Sequence, residues 1–331
     1  MTHSMKSVRE SIRDGIAKSM RNDCNVVLLG EEVGEYQGAY KVSSGLLQEF
    51  GKERVIDTPI TEHGFAGIGA GMAMSGLAPI VEFMTFNFAM QAMDQIINSC
   101  AKLHYMSGGT ITCPIVFRGP NGAASRVAAQ HSQCYAAWYA HIPGLKVIAP
   151  YFSYDFEALI QASVEDKNPV VFLENEILYN EEHAVLEDYI PPKIGEARVV
   201  RQGTDITIVT FSIQVGRALR ASEILQTEYG VSCEVIDLIT LRPIDTATII
   251  NSVKKTNNLV TVEEGWAKCG IGAEISMSVL EHAFDFLDSP PCRVASVDIP
   301  LPYAENLEIA TLPKEKEIIK NVLRVLNKCT K

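Results

Sequence analysis

Short β-branched runs alternate with helical patterns along most of the chain. That alternation restricts the fold more than any other feature, because parallel strands need a crossover element between them. Strands are expected at 25–30, 55–60, 79–84, 114–118, 146–149 and 169–174, and helices at 6–21, 43–51, 62–75, 87–105, 132–141 and 153–166. After Glu174 the alternation fails, and residues 175–203 are acidic, irregular and carry Pro191-Pro192. It resumes at Asp205–Phe211, with strands near 232–238, 258–263 and 293–297 and helices near 214–229, 245–255, 270–286 and 314–328. The expected fold class is therefore α/β in two domains. A first domain with a parallel sheet spans 1–185, a linker follows at 186–203, and a smaller α/β domain spans 204–331.

Within the first domain, Asp57-Thr58-Pro59-Ile60-Thr61-Glu62-His63-Gly64-Phe65 sets a lone carboxylate, Glu62, between a β-branched run and a glycine-studded helical segment. In open α/β sheets ligands bind at such strand-to-helix turns. Facing a helix dipole alone would account for the acid, at about 0.3–1 kcal/mol. Two more segments point to the same rim. Pro79–Met84 reads as a buried strand, followed by a helix in which Phe88 and Gln91 share a face and offer a ring and an amide. Pro114–Arg118 reads as a strand, followed by the turn Gly119–Gly122 and a small-residue loop ending in Ala129-Gln130-His131-Ser132, with Ser132 as a helix cap.

The glycines carry less information than they first suggest. Gly67-x-Gly69-x-Gly71 and the run Gly265–Gly272 both miss the Gly-x-Gly-x-x-Gly spacing of a dinucleotide site, so close packing and turns are the expected roles.

Composition excludes several function classes. With 331 residues, 47% of them hydrophobic, the chain can bury a large core. Its net charge of −11 and the lack of a basic run disfavour a nucleic-acid surface. No apolar stretch reaches the roughly 18 residues of a membrane span, and the first residues lack a secretory layout, so a soluble compartment is expected. The eight cysteines are spread singly, which disfavours structural zinc. Cys134 alone lies near the proposed site.

Together these segments resemble the beta subunits of the thiamin-diphosphate-dependent decarboxylating component of the pyruvate dehydrogenase complex. The matching runs include Leu29–Val33, Gly38–Val42, Asp57–Phe65, Glu82–Gln95, Phe117–Asn121, Ala128–Cys134, Pro143–Pro150, Asn168–Glu174, Leu241–Pro243 and Val260–Gly265, nearly the whole chain. The resemblance implies a transketolase-like architecture whose first domain binds the cofactor's pyrimidine. It also implies that Glu62 hydrogen-bonds the pyrimidine nitrogen and exchanges a proton with it, and that His131 acts on the substrate or the incoming dithiolane. Ile60, Met84, Phe88 and Gln91 match pyrimidine-pocket positions. A potassium site is implied at Ile115, Ser163, Val164, Asp166 and Asn168, largely through main-chain oxygens. Asp94 and Glu31 match an acidic connection between paired sites.

The family's diphosphate anchor, a Gly-Asp-Gly motif, does not occur here. The resemblance therefore implies that an alpha subunit holds the magnesium and the phosphates, in an alpha2beta2 heterotetramer. It further implies docking on a dihydrolipoyl acetyltransferase core and its lipoyl domain, with Asp285 and Asp288 as contact acids. The run Phe86–Gln95 is similar to the pyruvate branch, against the alternative of a branched-chain 2-oxo acid or acetoin enzyme. The location implied is the cytoplasm for a bacterial chain and the mitochondrial matrix for a mature eukaryotic one.

Overall fold

The structure, a computed structural model, describes residues 5–184 and 189–328. The start of the expected linker at 186–188 and Cys329 lie outside the described residues. The chain forms two compact units. The first comprises residues up to Asn121 with Trp138–Ile148 and Phe152–Ile194; the second comprises Gly122–Ala137, Ala149–Tyr151 and the residues from Gly195 onward.

In the first unit the β-branched runs become parallel strands in the order Lys146–Ile148, Val170–Glu174, Val116–Pro120, Ala78–Glu82, Val26–Gly30 and Val55–Asp57. These inner strands read as continuous apolar runs because both faces are covered: Val26–Gly30 and Val170–Glu174 are buried at every residue. Register sets the chemistry. Gly30 stands level with Asp57 and with Glu82, Glu82 with Arg118, and Pro120 with Glu174, so the carboxyl ends of neighbouring strands meet on one rim.

The helix Glu62–Met74 packs against this sheet, and one of its glycines allows the approach. A Cβ added at Gly69 would stand 2.7 Å from Val81 Cγ2, whereas one at Gly71 would meet nothing. Only the former glycine is therefore required by close approach.

The second unit is a mixed sheet ordered Cys292–Ser296, Leu259–Trp266, Ile206–Thr210, Cys233–Asp237 and Arg198–Arg201, the last strand antiparallel and the others parallel. Ile208, Leu225, Val235, Val260, Val294 and Leu323 fill its core. Its helices Gln214–Tyr229, Thr246–Thr256, Ile271–Ala283 and Glu315–Val325 lie close to the expected spans.

Three local expectations are corrected. The strand expected over 55–60 ends at Asp57, because the Asp57 carboxylate turns to accept the N–H groups of Gly34 (2.6 Å) and Glu35 (2.9 Å), and Pro59 has no N–H to give a ladder. The helix expected over 87–105 is broken into Phe86–Ala89, a tight turn at Met90–Ala92, a wide π-type segment at Gln95–Ala101 and Lys102–Met106. Apolar spacing over seven residues cannot separate a wide helix from an ordinary one. Ser132 is not a cap either: the helix begins at Ala136, and the Ser132 hydroxyl is buried without a partner among the described residues.

Candidate active site

Glu62 is the first residue of its helix, reached from the sheet through the turn Thr58–Thr61. Thr61 gives no side-chain cap, so the acid occupies the helix start with exposed backbone N–H groups behind it. Its side chain is buried, at 3% exposure. The Gln91 amide donates to Glu62 Oε2 at 3.1 Å. Two expected pocket residues, far apart in sequence, are thus joined directly, and the amide fixes the carboxyl's orientation.

Glu31, one residue past the strand Val26–Gly30, completes the arrangement. It is buried and lies within hydrogen-bonding reach of Glu62. Burial is the larger cause that pushes its carboxyl up to about 7, and repulsion from Glu62 and then Glu82 adds to it. One of its oxygens, Oε1, has no partner among the described residues. A buried, unpaired acceptor beside a second carboxyl suits a ligand that brings a donor.

The elevated Glu31 carboxyl has a measurable consequence. Between its ordinary value of 4.5 and about 7, the folded chain keeps a proton that the unfolded chain releases. Stability is therefore fullest below the lower value and falls as pH rises through the upper one. Glu31→Gln is expected to flatten that part of the slope, which urea unfolding of the isolated chain between about pH 5 and about pH 8 measures. An unchanged slope would count against the paired carboxyls.

Behind the two acids lies a charged group that the sequence reading did not identify. Arg118, 1% exposed, pairs with Glu174 through Nε and Nη2 at 2.6 Å each and also binds the Glu82 carboxylate. Tyr179 donates to Glu174 at 2.6 Å, and Tyr40, whose ring stands 5.3 Å from that of Tyr179, donates to Glu176 at 3.0 Å. Burial raises Glu82 despite the guanidinium beside it. The signal was available: Ile-Val-Glu82, Val-Phe-Arg118 and Phe-Leu-Glu174 each set a charge directly after an apolar run. An isolated charge there would cost several kcal/mol, so a partner had to exist.

The other expected residues divide. Met84 and Phe88 are half-buried on the segment that carries Gln91, and Ile60 is exposed, at 83%. His131 is exposed and belongs to the second unit, on the stretch Gly122–Ala137. Asp94 is exposed and accepts from Asn98 at 2.7 Å.

The expected potassium positions fall on two segments, Ile115 before one strand and 163–168 at the turn before the next. Val170 N–H donates to the Ile115 carbonyl at 2.9 Å and Cys113 N–H to the Lys167 carbonyl at 3.2 Å, which ties the turn after Ser153–Glu165 to the segment before Val116. Asp166 accepts from Asn168 N–H at 2.9 Å and pairs with Lys146. Among the described residues, no group of three or more His, Cys, Asp or Glu side chains is arranged to hold a metal ion, and no helix is long and apolar enough to cross a membrane.

Comparisons with known proteins match the chain over nearly its whole length. The family model for the transketolase pyrimidine binding domain matches residues 4–182, and that for the transketolase C-terminal domain matches residues 195–318. The chain is 59% identical over 319 residues to the pyruvate dehydrogenase E1 component subunit beta of Rickettsia conorii, covering 96% of this chain and 98% of the relative. It is 58% identical over 324 residues to the subunit of the same name from Rhizobium meliloti, covering 97% and 70%. It is 56% identical over 322 residues to the mitochondrial beta-1 subunit of Oryza sativa, covering 96% and 86%. Among solved structures, a split gene transketolase described as an inactive beta4 tetramer superposes with a TM-score of 0.81 at 21% identity, covering 97% of this chain and 98% of that one, a likeness of fold.

Proposed function

Because the chain belongs to the family of pyruvate dehydrogenase E1 beta subunits, built on the transketolase fold, we propose that Glu62 is the proton-transferring acid of a thiamin-diphosphate site completed by an alpha subunit. With that subunit the chain catalyses oxidative decarboxylation of pyruvate and reductive acetylation of the lipoyl group of dihydrolipoyl acetyltransferase. The names of the relatives favour pyruvate over branched-chain 2-oxo acids or acetoin. The observation that carries the role of Glu62 is its burial at a helix start, with its carboxyl held by Gln91 and set beside Glu31.

Bound thiamin diphosphate supplies a nucleophilic thiazolium carbon and an electron sink for decarboxylation. The residues here fit its pyrimidine end: a buried carboxyl to hold or release one proton, an amide to orient it, and a half-buried aromatic ring. In this reading Glu62 shuttles the proton at its carboxyl oxygen, and Phe88 and Met84 exclude water and present apolar surface. Ile60 closes the same pocket from the Thr58–Thr61 turn. His131 holds or delivers a proton on the substrate side. Phe88→Ala is expected to weaken apparent cofactor affinity about tenfold with little change at saturating cofactor, read from the cofactor dependence of the reconstituted complex. Unchanged affinity would remove Phe88 from the pocket.

Phosphates and magnesium belong to the alpha subunit in this proposal, since the chain has no Gly-Asp-Gly motif. An alpha2beta2 heterotetramer follows, with the exposed acids Asp285 and Asp288 facing the acetyltransferase core. The proposed location is the cytoplasm if the source is bacterial and the mitochondrial matrix if eukaryotic. We also propose potassium at Ile115, Ser163, Val164, Asp166 and Asn168, since main-chain oxygens suit a hard monovalent cation and main-chain hydrogen bonds tie the two segments that carry these positions. Exchanging potassium for sodium is then expected to lower the thermal midpoint; identical midpoints would argue for a plain turn braced by Lys146.

A further inference from the structure

The stretch that carries His131 is held in a costly backbone form. Arg126 sits at φ 56° and Ala128 at φ 64° with ψ −167°, the latter a region that is essentially glycine's. His131 N–H donates to the Ala128 carbonyl at 3.2 Å, so the strained residue also sets the turn on which the histidine rides. Such a conformation persists only where its surroundings over-determine it.

Two buried acids of the same unit do so. Ala123 N–H donates to the Glu264 carboxylate, and the Ala123 methyl packs with Leu301 and Leu312. Arg126 N–H donates to Glu308 Oε2 at 3.0 Å, while its guanidinium meets the exposed Glu305 at 3.3 Å. Glu264 and Glu308 are 9% and 8% exposed. Glu264 stands on the strand Leu259–Trp266, whose own carbonyl at that residue accepts the Ser296 hydroxyl at 2.5 Å, so the clamp is anchored on a rigid element. Neither acid has a part in the chemistry above, and a backbone N–H donating to a carboxylate makes a strong hydrogen bond.

We propose that Glu264 and Glu308 are positioning residues: they clamp the Gly122–Ala137 stretch in its strained form and thereby set the presentation of His131. This rests on the reading of His131 as a participant in the reaction. In the reconstituted complex, Glu308→Ala and Glu264→Ala are expected to lower turnover about 10-fold or more, the scale of a displaced reacting group. They should also speed amide hydrogen exchange across 122–134. Glu308→Gln and Glu264→Gln keep an accepting oxygen and should retain most of both properties. Ala128→Gly, which removes the strain, should restore part of the loss caused by Glu308→Ala. In a His131→Ala background the further loss from Glu308→Ala should vanish. A loss that persists there, or exchange that is unchanged in both alanine variants, would overturn the clamp. Normal turnover of His131→Ala would instead overturn the reading of the histidine, and the exchange measurement tells the two failures apart.

Discussion

Glu62→Gln is expected to lower turnover of the reconstituted complex about 10²-fold or more, the usual contribution of a positioned proton-transfer group, while leaving the fold intact. The substitution is isosteric. The new amide oxygen can still accept from the Gln91 amide, as Glu62 Oε2 does at 3.1 Å, and the new amide can donate to Glu31. Replacing one of two adjacent carboxyls also removes the repulsion that raises Glu31, so stability should be kept or improved. Only the capacity to give and take a proton is lost. Thermal unfolding and partner assembly monitored beside turnover separate that loss from misfolding, and near-normal turnover would end the assignment.

The largest stability effect is expected at Arg118. Arg118→Met leaves the Glu82 and Glu174 carboxylates buried without their cation, a class of change that costs about 3–5 kcal/mol. The sign of its pH dependence can be given. Burial already raises the Glu82 carboxyl, and removing the guanidinium takes away the influence that opposed it. The variant therefore binds protons in its folded state more readily than when unfolded. Its deficit should be greatest at alkaline pH and shrink as acid neutralises the two side chains. Urea unfolding of both proteins at about pH 5 and about pH 8 tests this. A deficit below about 1 kcal/mol, or one independent of pH, would mean that water reaches the pair.

The α/β alternation was legible because inner parallel strands are continuous apolar runs, and Val26–Gly30, Ala78–Glu82 and Val170–Glu174 lie within two residues of the expected spans. Glu62 was legible for the opposite reason, as a charge where apolar residues were expected. Its bond to Gln91 was foreshadowed only by the resemblance. The pairing with Glu31 was not visible, because it depends on strand register, and register is set by packing of whole faces rather than by any local motif. The Arg118 group escaped for the same reason. The broken helix between Phe86 and Met106 shows a different limit: identical residues favour ordinary and widened turns almost equally, and tertiary packing decides.

The closeness of Gly69 to Val81 gives the acid at position 62 a dependency that its own surroundings do not reveal. The helix is a lever: lifting its middle by the width of one methyl group tilts the end that bears the carboxyl. A larger side chain at Gly69 is thus expected to disturb Glu62 by a steric route, although position 69 lies about two helical turns away from the carboxyl.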